Sequence, residues 1–181
     1  MPPDGRKMAK NKVDQAIKVI IGALLVVLAG VVVYTMQDHI VQVGDKAPDF
    51  TITTSSGATI SPKNFGGRVL VLNFWASWCA PCVQEIPSLN DFQKQLAGSG
   101  VVVLGISVDR NEAAYKSMVK RFNVSYATAW DPRADINVED GTYKFPETYI
   151  IDRNGKVVQK FIGLPEKSWT DPEIVNYVKS L

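Results

Sequence analysis

The sequence predicts an α/β domain with a central mixed sheet flanked by helices, preceded by one transmembrane helix. Two observations indicate the domain: apolar runs typical of buried strands alternate with amphipathic helical patterns from residue 69 onward, and a hairpin with a final helix closes the chain. A third observation, the uncharged apolar segment at residues 19–37, indicates the membrane helix. The 181 residues are enough for one ordinary domain with this extension.

Residues 19–37 have the length and composition of a membrane anchor. At about 1.5 Å per residue the segment extends roughly 28 Å, close to the thickness of a bilayer's hydrocarbon core. Residues 1–18 hold five basic and two acidic side chains, and Asp38 follows the segment, so the positive-inside rule places the N-terminus in the cytoplasm. A cleaved signal peptide is the alternative, with Val27-Leu28-Ala29 as a weak cleavage site, but the length and flanks favour an uncleaved anchor.

The chain therefore divides into four predicted parts: a basic cytoplasmic N-terminus at residues 1–18, the anchor at 19–37, a linker at 38–43 and a folded domain at 44–181. Beyond residue 18 there are 15 basic and 16 acidic side chains, so the domain lacks the concentrated basic face that phosphate recognition requires. We expect no nucleic acid partner. We expect a single-pass protein of the cell membrane, with its domain on the extracytoplasmic side.

The first elements of the domain follow from short apolar patterns. Residues 50–54 and 58–60 flank a Ser-Ser-Gly turn and predict a hairpin. Residues 69–75, Val-Leu-Val-Leu-Asn-Phe-Trp, are apolar enough for a strand that is buried on both faces. An apolar stripe with helical spacing then predicts a helix from about Cys79 to Leu96.

The rest of the domain repeats this alternation and closes with a hairpin and a helix. The predicted elements are a buried strand at 101–108, an amphipathic helix at 112–122 and strands at 128–130, 148–151 and 157–162. Residues 153–156, Arg-Asn-Gly-Lys, predict the turn between the last two strands. Thr170-Asp171-Pro172-Glu173 predicts the final helix by supplying an N-cap, a Pro at N1 and a Glu at N3.

The chain has two cysteines, Cys79 and Cys82, which lie where the strand at 69–75 turns into a helix. A C-x-x-C pair without any other thiol indicates redox or metal chemistry, and two cysteines with one His cannot complete a four-ligand structural zinc site. At a helix N-terminus, free N–H groups and the positive end of the helix dipole stabilise a thiolate. We therefore predict Cys79 as the attacking sulfur and Cys82, one turn deeper, as the sulfur that resolves the mixed disulfide.

Four segments make the domain resemble the membrane-anchored TlpA/ResA/CcmG-like thiol-disulfide oxidoreductases of the thioredoxin superfamily. They are GDKAPDF at 44–50, NFWASWCAPC at 73–82, EIP at 85–87 and FPETYIID at 145–152. The resemblance covers residues 44–181. It implies a thioredoxin fold with an extra N-terminal β-hairpin and an insertion after the second core strand, which residues 110–126 fit. It also implies that the redox-active Cys79–Cys82 disulfide is the reactive centre, with no bound cofactor and no metal.

Glu85 is the predicted acid–base partner of the cysteines. Cytoplasmic thioredoxins have a buried Asp on the strand before the motif, but this position is Asn73 here, which cannot titrate. Glu85 follows Cys82 by one helical turn, and the resemblance points to the same residue. Burial and a nearby thiolate would raise the pKa of Glu85. A solvated carboxylate on the helix surface is the alternative.

The predicted substrate-binding residues are Trp78, Pro81, Phe145 and Pro146. Trp78 is interpreted as a wall of the active site, and Pro81 suits the first helical turn. The resemblance aligns Pro146 with a cis-proline that packs against the disulfide and helps to hold the extended backbone of the substrate. A trans proline at a strand edge is the alternative, since X-Pro bonds are cis in only about 5–6% of folded cases. Phe145 is bulky where a smaller residue is expected, so substrate access would differ.

The leading hypothesis is an extracytoplasmic dithiol reductase of protein disulfides. The resemblance implies apocytochrome c, before haem attachment, as a candidate substrate and a membrane thiol transporter as the electron donor. We expect the protein to be a monomer. A disulfide-forming oxidase stays open, since direction depends on the reduction potential, although Ala80-Pro81 resembles the reductants more than the His-containing oxidant motif.

A non-enzymatic metal chaperone or redox sensor is the second alternative. Copper sites of this kind usually need C-x-x-x-C and a distant His, whereas here the spacing is shorter and His39 follows the predicted anchor. A peroxidase is disfavoured because Ser77-Trp78 precede Cys79, where such enzymes need a Pro and a Thr.

Overall fold

The computed structural model describes residues 5–35, 40–64, 67–139, 141–142 and 144–181. The chain divides into two compact units between residues 38 and 39. The first unit contains helix α1 (Gly5–Thr35), within which Gln15–Val33 is long and apolar enough to cross a membrane, judged by length and composition. The predicted anchor lies in α1 as far as Thr35. Its last two residues, 36 and 37, lie outside the described residues, as do Asp38 and His39 at the start of the predicted linker.

The second unit contains a five-stranded mixed sheet and a two-stranded hairpin. The strands are β1 (Ile52–Thr53), β2 (Thr59–Ile60), β3 (Val69–Trp75), β4 (Val101–Ser107), β5 (Ala127–Trp130), β6 (Glu147–Ile151) and β7 (Val157–Ile162). β1 and β2 form the predicted N-terminal hairpin, and the large sheet has the order β5-β4-β3-β6-β7. β3, β4 and β5 are parallel, whereas β6 and β7 pair antiparallel. This is the mixed sheet that the sequence predicts.

Strand β3 is buried over its whole length because both faces of the sheet are covered. The remaining helices are α2 (Ala80–Gln95), α3 (Glu112–Arg121), α4 (Asp135–Glu139) and α5 (Pro172–Ser180). Val69 and Val71 pack in one core with side chains of α2 and α5. Leu70, Leu72 and Phe74 point to the opposite face, where the N-terminal segment of the unit and the hairpin cover them. The alternation follows from the two-residue period of a strand.

The element boundaries agree with the sequence prediction to within about two residues in most places, and one position in the first turn of a helix differs. The N-cap of α5 is Asp171, whose side chain accepts the N–H of Glu173 at 2.9 Å. Pro172 is then at N1, as predicted, but Glu173 is at N2 and the predicted N3 position is wrong. Helix α3 lies in the predicted insertion at residues 110–126, and β5 follows it as an edge strand. The sequence prediction missed α4 and a 3₁₀ turn at Pro62–Asn64.

Candidate active site

The two cysteines lie at the start of α2, directly after the buried strand β3. Cys79 is the N-cap residue, and its Sγ accepts the backbone N–H of Cys82 at 3.2 Å. The two sulfurs form a disulfide in this structure. Cys79 is 5% exposed and Cys82 is 0% exposed. Cys79 is therefore at the positive end of the helix and nearer to solvent, which is the geometry expected of the attacking sulfur.

The turn that leads into Cys79 is held by a buried carboxylate, Asp109, just beyond the end of β4. The backbone N–H of Ser77 lies 3.1 and 3.0 Å from Oδ1 and Oδ2 of Asp109, and the Ser77 hydroxyl donates to Oδ1 at 2.8 Å. Ser107 donates to Oδ2 at 2.9 Å. A buried carboxylate needs such hydrogen bonds to offset its lost hydration. The donors of Ser77 and Ser107 therefore stabilise Asp109, and Asp109 holds the turn at Ser77.

Sequence reasoning missed Asp109, although one signal was available. Asp109 is the first acidic residue after the apolar run of β4, and β4 is the parallel neighbour of β3. The carboxyl ends of adjacent parallel strands lie at one edge of a sheet, where sites are commonly built. The Cys79 motif begins at that same edge.

Glu85 is buried beneath the cysteines, on the side of α2 that faces the sheet. The residue is 3% exposed, so the alternative of a solvated surface carboxylate is wrong. Its Oε1 accepts a hydrogen bond of 2.8 Å from Nδ2 of Asn73, and its Oε2 accepts one of 3.2 Å from Nε1 of Trp169. Burial raises the pKa of Glu85 to about 7, although the hydrogen bonds from Asn73 and Trp169 act in the opposite direction. A carboxyl with this pKa can take up and release a proton near neutral pH.

Asn73, on β3, lies beside the Glu85 side chain of α2. Both hydrogens of its side-chain amide are donated in hydrogen bonds. Nδ2 donates to Glu85 and also to the hydroxyl of Thr148 on β6, at 2.9 Å. Its Oδ1 has no partner in the part of the chain that the structure describes, and the same holds for the buried Tyr126 hydroxyl and Trp75 Nε1. Burial and the nearby Glu85 carboxylate raise the pKa of Tyr126. Glu85 is thus surrounded by neutral polar groups.

The predicted substrate-binding residues lie around the disulfide. Trp78 is 68% exposed, and its ring contacts that of Phe145 edge-to-face, with the centroids 5.8 Å apart. Phe145 packs against the core cluster that contains both cysteines. The Phe145-Pro146 peptide bond is cis, as the resemblance implies, and Pro146 is buried. Pro81 is an exposed residue in the first turn of α2. An apolar wall therefore borders Cys79.

The residue after the cis-proline, Glu147, is a second buried carboxylate that the sequence did not reveal. Nζ of Lys160 on β7 lies 2.8 Å from Oε1 of Glu147, and the Tyr149 hydroxyl donates to the same oxygen at 2.6 Å. Lys160 also donates to the carbonyl of Val41 at 3.0 Å. These bonds fix the start of β6, and with it the position of Pro146.

Metal ligation finds no support among the residues that the structure describes. They contain no group of three or more His, Cys, Asp or Glu side chains that could hold a metal ion. His39, which the copper hypothesis would need as a ligand, lies outside these residues.

Comparisons with known proteins agree with this geometry. The sequence profile of the Redoxin family matches residues 42–178. Thiol-disulfide oxidoreductase ResA of Bacillus cereus is 30% identical over 164 residues, which cover 87% of this chain and 92% of that protein. Thioredoxin-like protein YneN of Bacillus subtilis is 30% identical over 154 residues, 81% of this chain and 90% of that protein. The crystal structure of a proposed thiol:disulfide interchange protein DsbE from Chlorobium tepidum superposes with a TM-score of 0.69 at 29% identity, covering 77% of this chain and 98% of that one.

Proposed function

The chain belongs to the Redoxin family, and we propose that it reduces protein disulfides outside the cytoplasm while α1 anchors it in the membrane. It is a thiol-disulfide oxidoreductase of the thioredoxin superfamily. The observation that carries the proposed chemistry is the buried Glu85, one helical turn after Cys82, with a pKa of about 7. A base at this position assists the step that releases a reduced substrate. The proposed direction rests on Ala80-Pro81, which resembles the reductants more than the His-containing oxidant motif.

The proposed reaction begins with the reduced protein. The Cys79 thiolate attacks one sulfur of a substrate disulfide, which forms a mixed disulfide and releases the other substrate sulfur as a thiolate that takes up a proton. Cys82 then gives its proton to Glu85 and attacks Sγ of Cys79. The Cys79–Cys82 disulfide forms, and the second substrate sulfur leaves as a thiolate and is protonated. Two electrons have passed to the substrate, and an external dithiol must return two to the protein.

The proposed partners follow from the resemblance and from the exposed wall beside Cys79. Trp78 and Phe145 offer apolar contact to a peptide chain that carries the disulfide. We propose the C-x-x-C-H segment of apocytochrome c as one substrate and a membrane thiol protein as the electron donor. The Cys79–Cys82 pair supplies the redox chemistry of this scheme without a further cofactor. A monomer suffices, because both cysteines and Glu85 come from one chain.

The reduction potential of the full chain, purified in detergent and equilibrated with thiol redox buffers, tests the direction. We expect a value near that of thioredoxin, about −270 mV, whereas a value near that of the oxidant DsbA, about −120 mV, would reject the reductase. Cys79→Ser should lose all reduction of a protein disulfide. Stoichiometric copper bound by the reduced protein, together with no such reduction, would support the chaperone instead.

The topology needs a separate experiment. In right-side-out membrane vesicles, a membrane-impermeant maleimide should label the reduced cysteines, since the domain is proposed to be extracytoplasmic. Labelling only after permeabilisation would contradict this orientation. The mass of the mature protein distinguishes an intact anchor from the cleaved signal peptide, because cleavage near Ala29 would remove most of the apolar segment.

A further inference from the structure

Trp169 brings a hydrogen-bond donor from the C-terminal part of the domain to the active-site helix. It lies between β7 and α5, is 1% exposed and belongs to the core formed by the sheet with α2 and α5. Its ring packs against Phe92 of α2 and Phe161 of β7, with centroid distances of 5.5 and 5.2 Å. The position of the indole is therefore set by packing from two sides, and its N–H points to Oε2 of Glu85.

The two oxygens of Glu85 are held by two different elements. Asn73 of β3 donates to Oε1, and Trp169 donates to Oε2. An amide nitrogen and an indole nitrogen donate hydrogen bonds but do not accept a proton from a carboxylic acid. Asn73 and Trp169 can therefore orient the Glu85 carboxyl, but neither can take up the proton that Glu85 exchanges with Cys82.

We propose that Trp169 is a positioning residue that, together with Asn73, holds the Glu85 carboxyl in the orientation from which it exchanges a proton with Cys82. The effect of this positioning on the reaction rests on the proposed function. This positioning connects the segment between β7 and α5 to the acid–base chemistry, since Trp169 comes from that segment.

The surroundings of Glu85 leave few other groups that could produce the same pH dependence. Cys79 and Cys82 lie at the start of its own helix, and Tyr126 is the titratable group that interacts with it from the segment before β5. β3 and β6 contribute the neutral Asn73 and Thr148. In the oxidised protein the cysteines do not titrate, and burial raises the pKa of Tyr126 well above the neutral range. The titration of the oxidised site near neutral pH therefore reports Glu85.

The test is a carbon-13 NMR titration of the Glu85 carboxyl in the oxidised full chain, in detergent, for the wild type and Trp169→Phe. Phe keeps the aromatic packing and removes the N–H that stabilises the carboxylate, so the midpoint should rise from about 7 by about one unit. Val101→Ala is the matched control, because it removes packing from the same core and leaves the N–H and both rings that hold the indole in place. It should leave the midpoint unchanged.

A second measurement on the wild type keeps the inference testable if Trp169→Phe does not fold. The indole N–H resonance of Trp169 should shift with pH at the midpoint of Glu85, and Glu85→Gln should abolish that shift. In the reduced protein, Trp169→Phe should move the pH profile of disulfide reduction upward.

Three results would overturn the inference: an unchanged midpoint in Trp169→Phe, an equal shift in Val101→Ala, or an indole resonance that does not follow Glu85. A wild type that titrates as described but does not reduce protein disulfides would reject the proposed function instead. The two failures are therefore distinguishable.

Discussion

Asn73 and Glu85 are joined by a hydrogen bond of 2.8 Å, in which the strand amide donates to the helix carboxyl beneath the cysteine pair. An acid at both positions would place two carboxyls in contact, and one of their pKa values would rise strongly. With Asn at residue 73, the buried site has one carboxyl and an amide that can orient it. In the proposed reaction, the proton that Cys82 loses thus has Glu85 as its carboxyl acceptor among the described residues of the site.

The stability of the oxidised protein should depend on pH through Glu85. Its pKa is raised from 4.5 to about 7, so between these values the unfolded chain releases a proton that the folded protein retains. The stabilisation is complete below about pH 4.5 and is lost as the pH rises through about 7. The loss in the free energy of unfolding amounts to about 3 kcal/mol.

Glu85→Gln replaces the titratable carboxyl by a neutral amide, so the variant should lack this dependence of the free energy of unfolding on pH. We expect urea unfolding of the oxidised full chain in detergent, measured from pH 5 to pH 8, to show a decline in the wild type that the variant lacks. Parallel curves for the two proteins would show that Glu85 has the same pKa in the folded and the unfolded state.

Removal of the resolving cysteine should trap the substrate. Cys82→Ser leaves Cys79 able to form a mixed disulfide, but a serine hydroxyl cannot attack a disulfide, so the adduct persists. Membranes quenched with an alkylating agent and separated on a non-reducing gel should show mixed disulfides for this variant. Cys79→Ser is the control, and it should show none because Cys82 is fully buried. Equal trapping by both variants would reverse or remove the assignment of Cys79 as the nucleophile.

The sequence predicted the reactive pair and its position because the relevant signals are local. A buried strand, a C-x-x-C pair and a helical stripe adjoin one another, and Glu85 is one turn from Cys82. The residues that support the site were not predictable in this way. Trp169 is 84 positions from Glu85, and Asp109 is 32 positions from Ser77. Such contacts depend on how distant elements pack, and no periodicity along the chain reports them.

The fold shows the same division between local and distant information. Periodicity predicted the long strands and helices, whereas α4 has only five residues and forms too short a pattern to recognise. At the start of α5, Glu173 was assigned to N3, but it lies at N2. Thr170 and Asp171 are both good caps, and the cap depends on which side chain reaches the free N–H groups.

Asp109→Asn should destabilise the turn before Cys79. The carboxylate accepts bonds from the Ser77 N–H, the Ser77 hydroxyl and the Ser107 hydroxyl, whereas an amide offers one oxygen and turns an NH₂ group toward a donor. We expect a loss of about 1.5–3 kcal/mol in the free energy of unfolding, the range for hydrogen bonds to charged groups. Ser77→Ala removes the single bond from the Ser77 hydroxyl, keeps the backbone N–H and should cost less. A variant within about 0.5 kcal/mol of the wild type would mean that Asp109 does not hold the turn.

Gly105 of β4 lies opposite Asn73 of β3, and any side chain at residue 105 meets two rings. A Cβ at this position would lie 2.8 Å from Cε2 of Tyr126 and 2.9 Å from Nε1 of Trp75. Both rings are buried, 5% and 1% exposed, so neither can move into solvent. Gly105→Ala should therefore lower the free energy of unfolding by about 1–3 kcal/mol, the usual cost of overpacking.

A double-mutant cycle with Tyr126→Leu tests whether Gly105 acts through this contact. Leu lacks the Cε2 atom that an added methyl would strike, so the double variant should be less destabilised than the two single losses together. Additive losses would indicate that Gly105 matters for its backbone and not for the space beside it.

The same variants connect the packing to the site, because Tyr126 interacts electrostatically with Glu85. A shift of Tyr126 by overpacking should move the Glu85 titration in the single variant Gly105→Ala, which the carboxyl NMR experiment would detect.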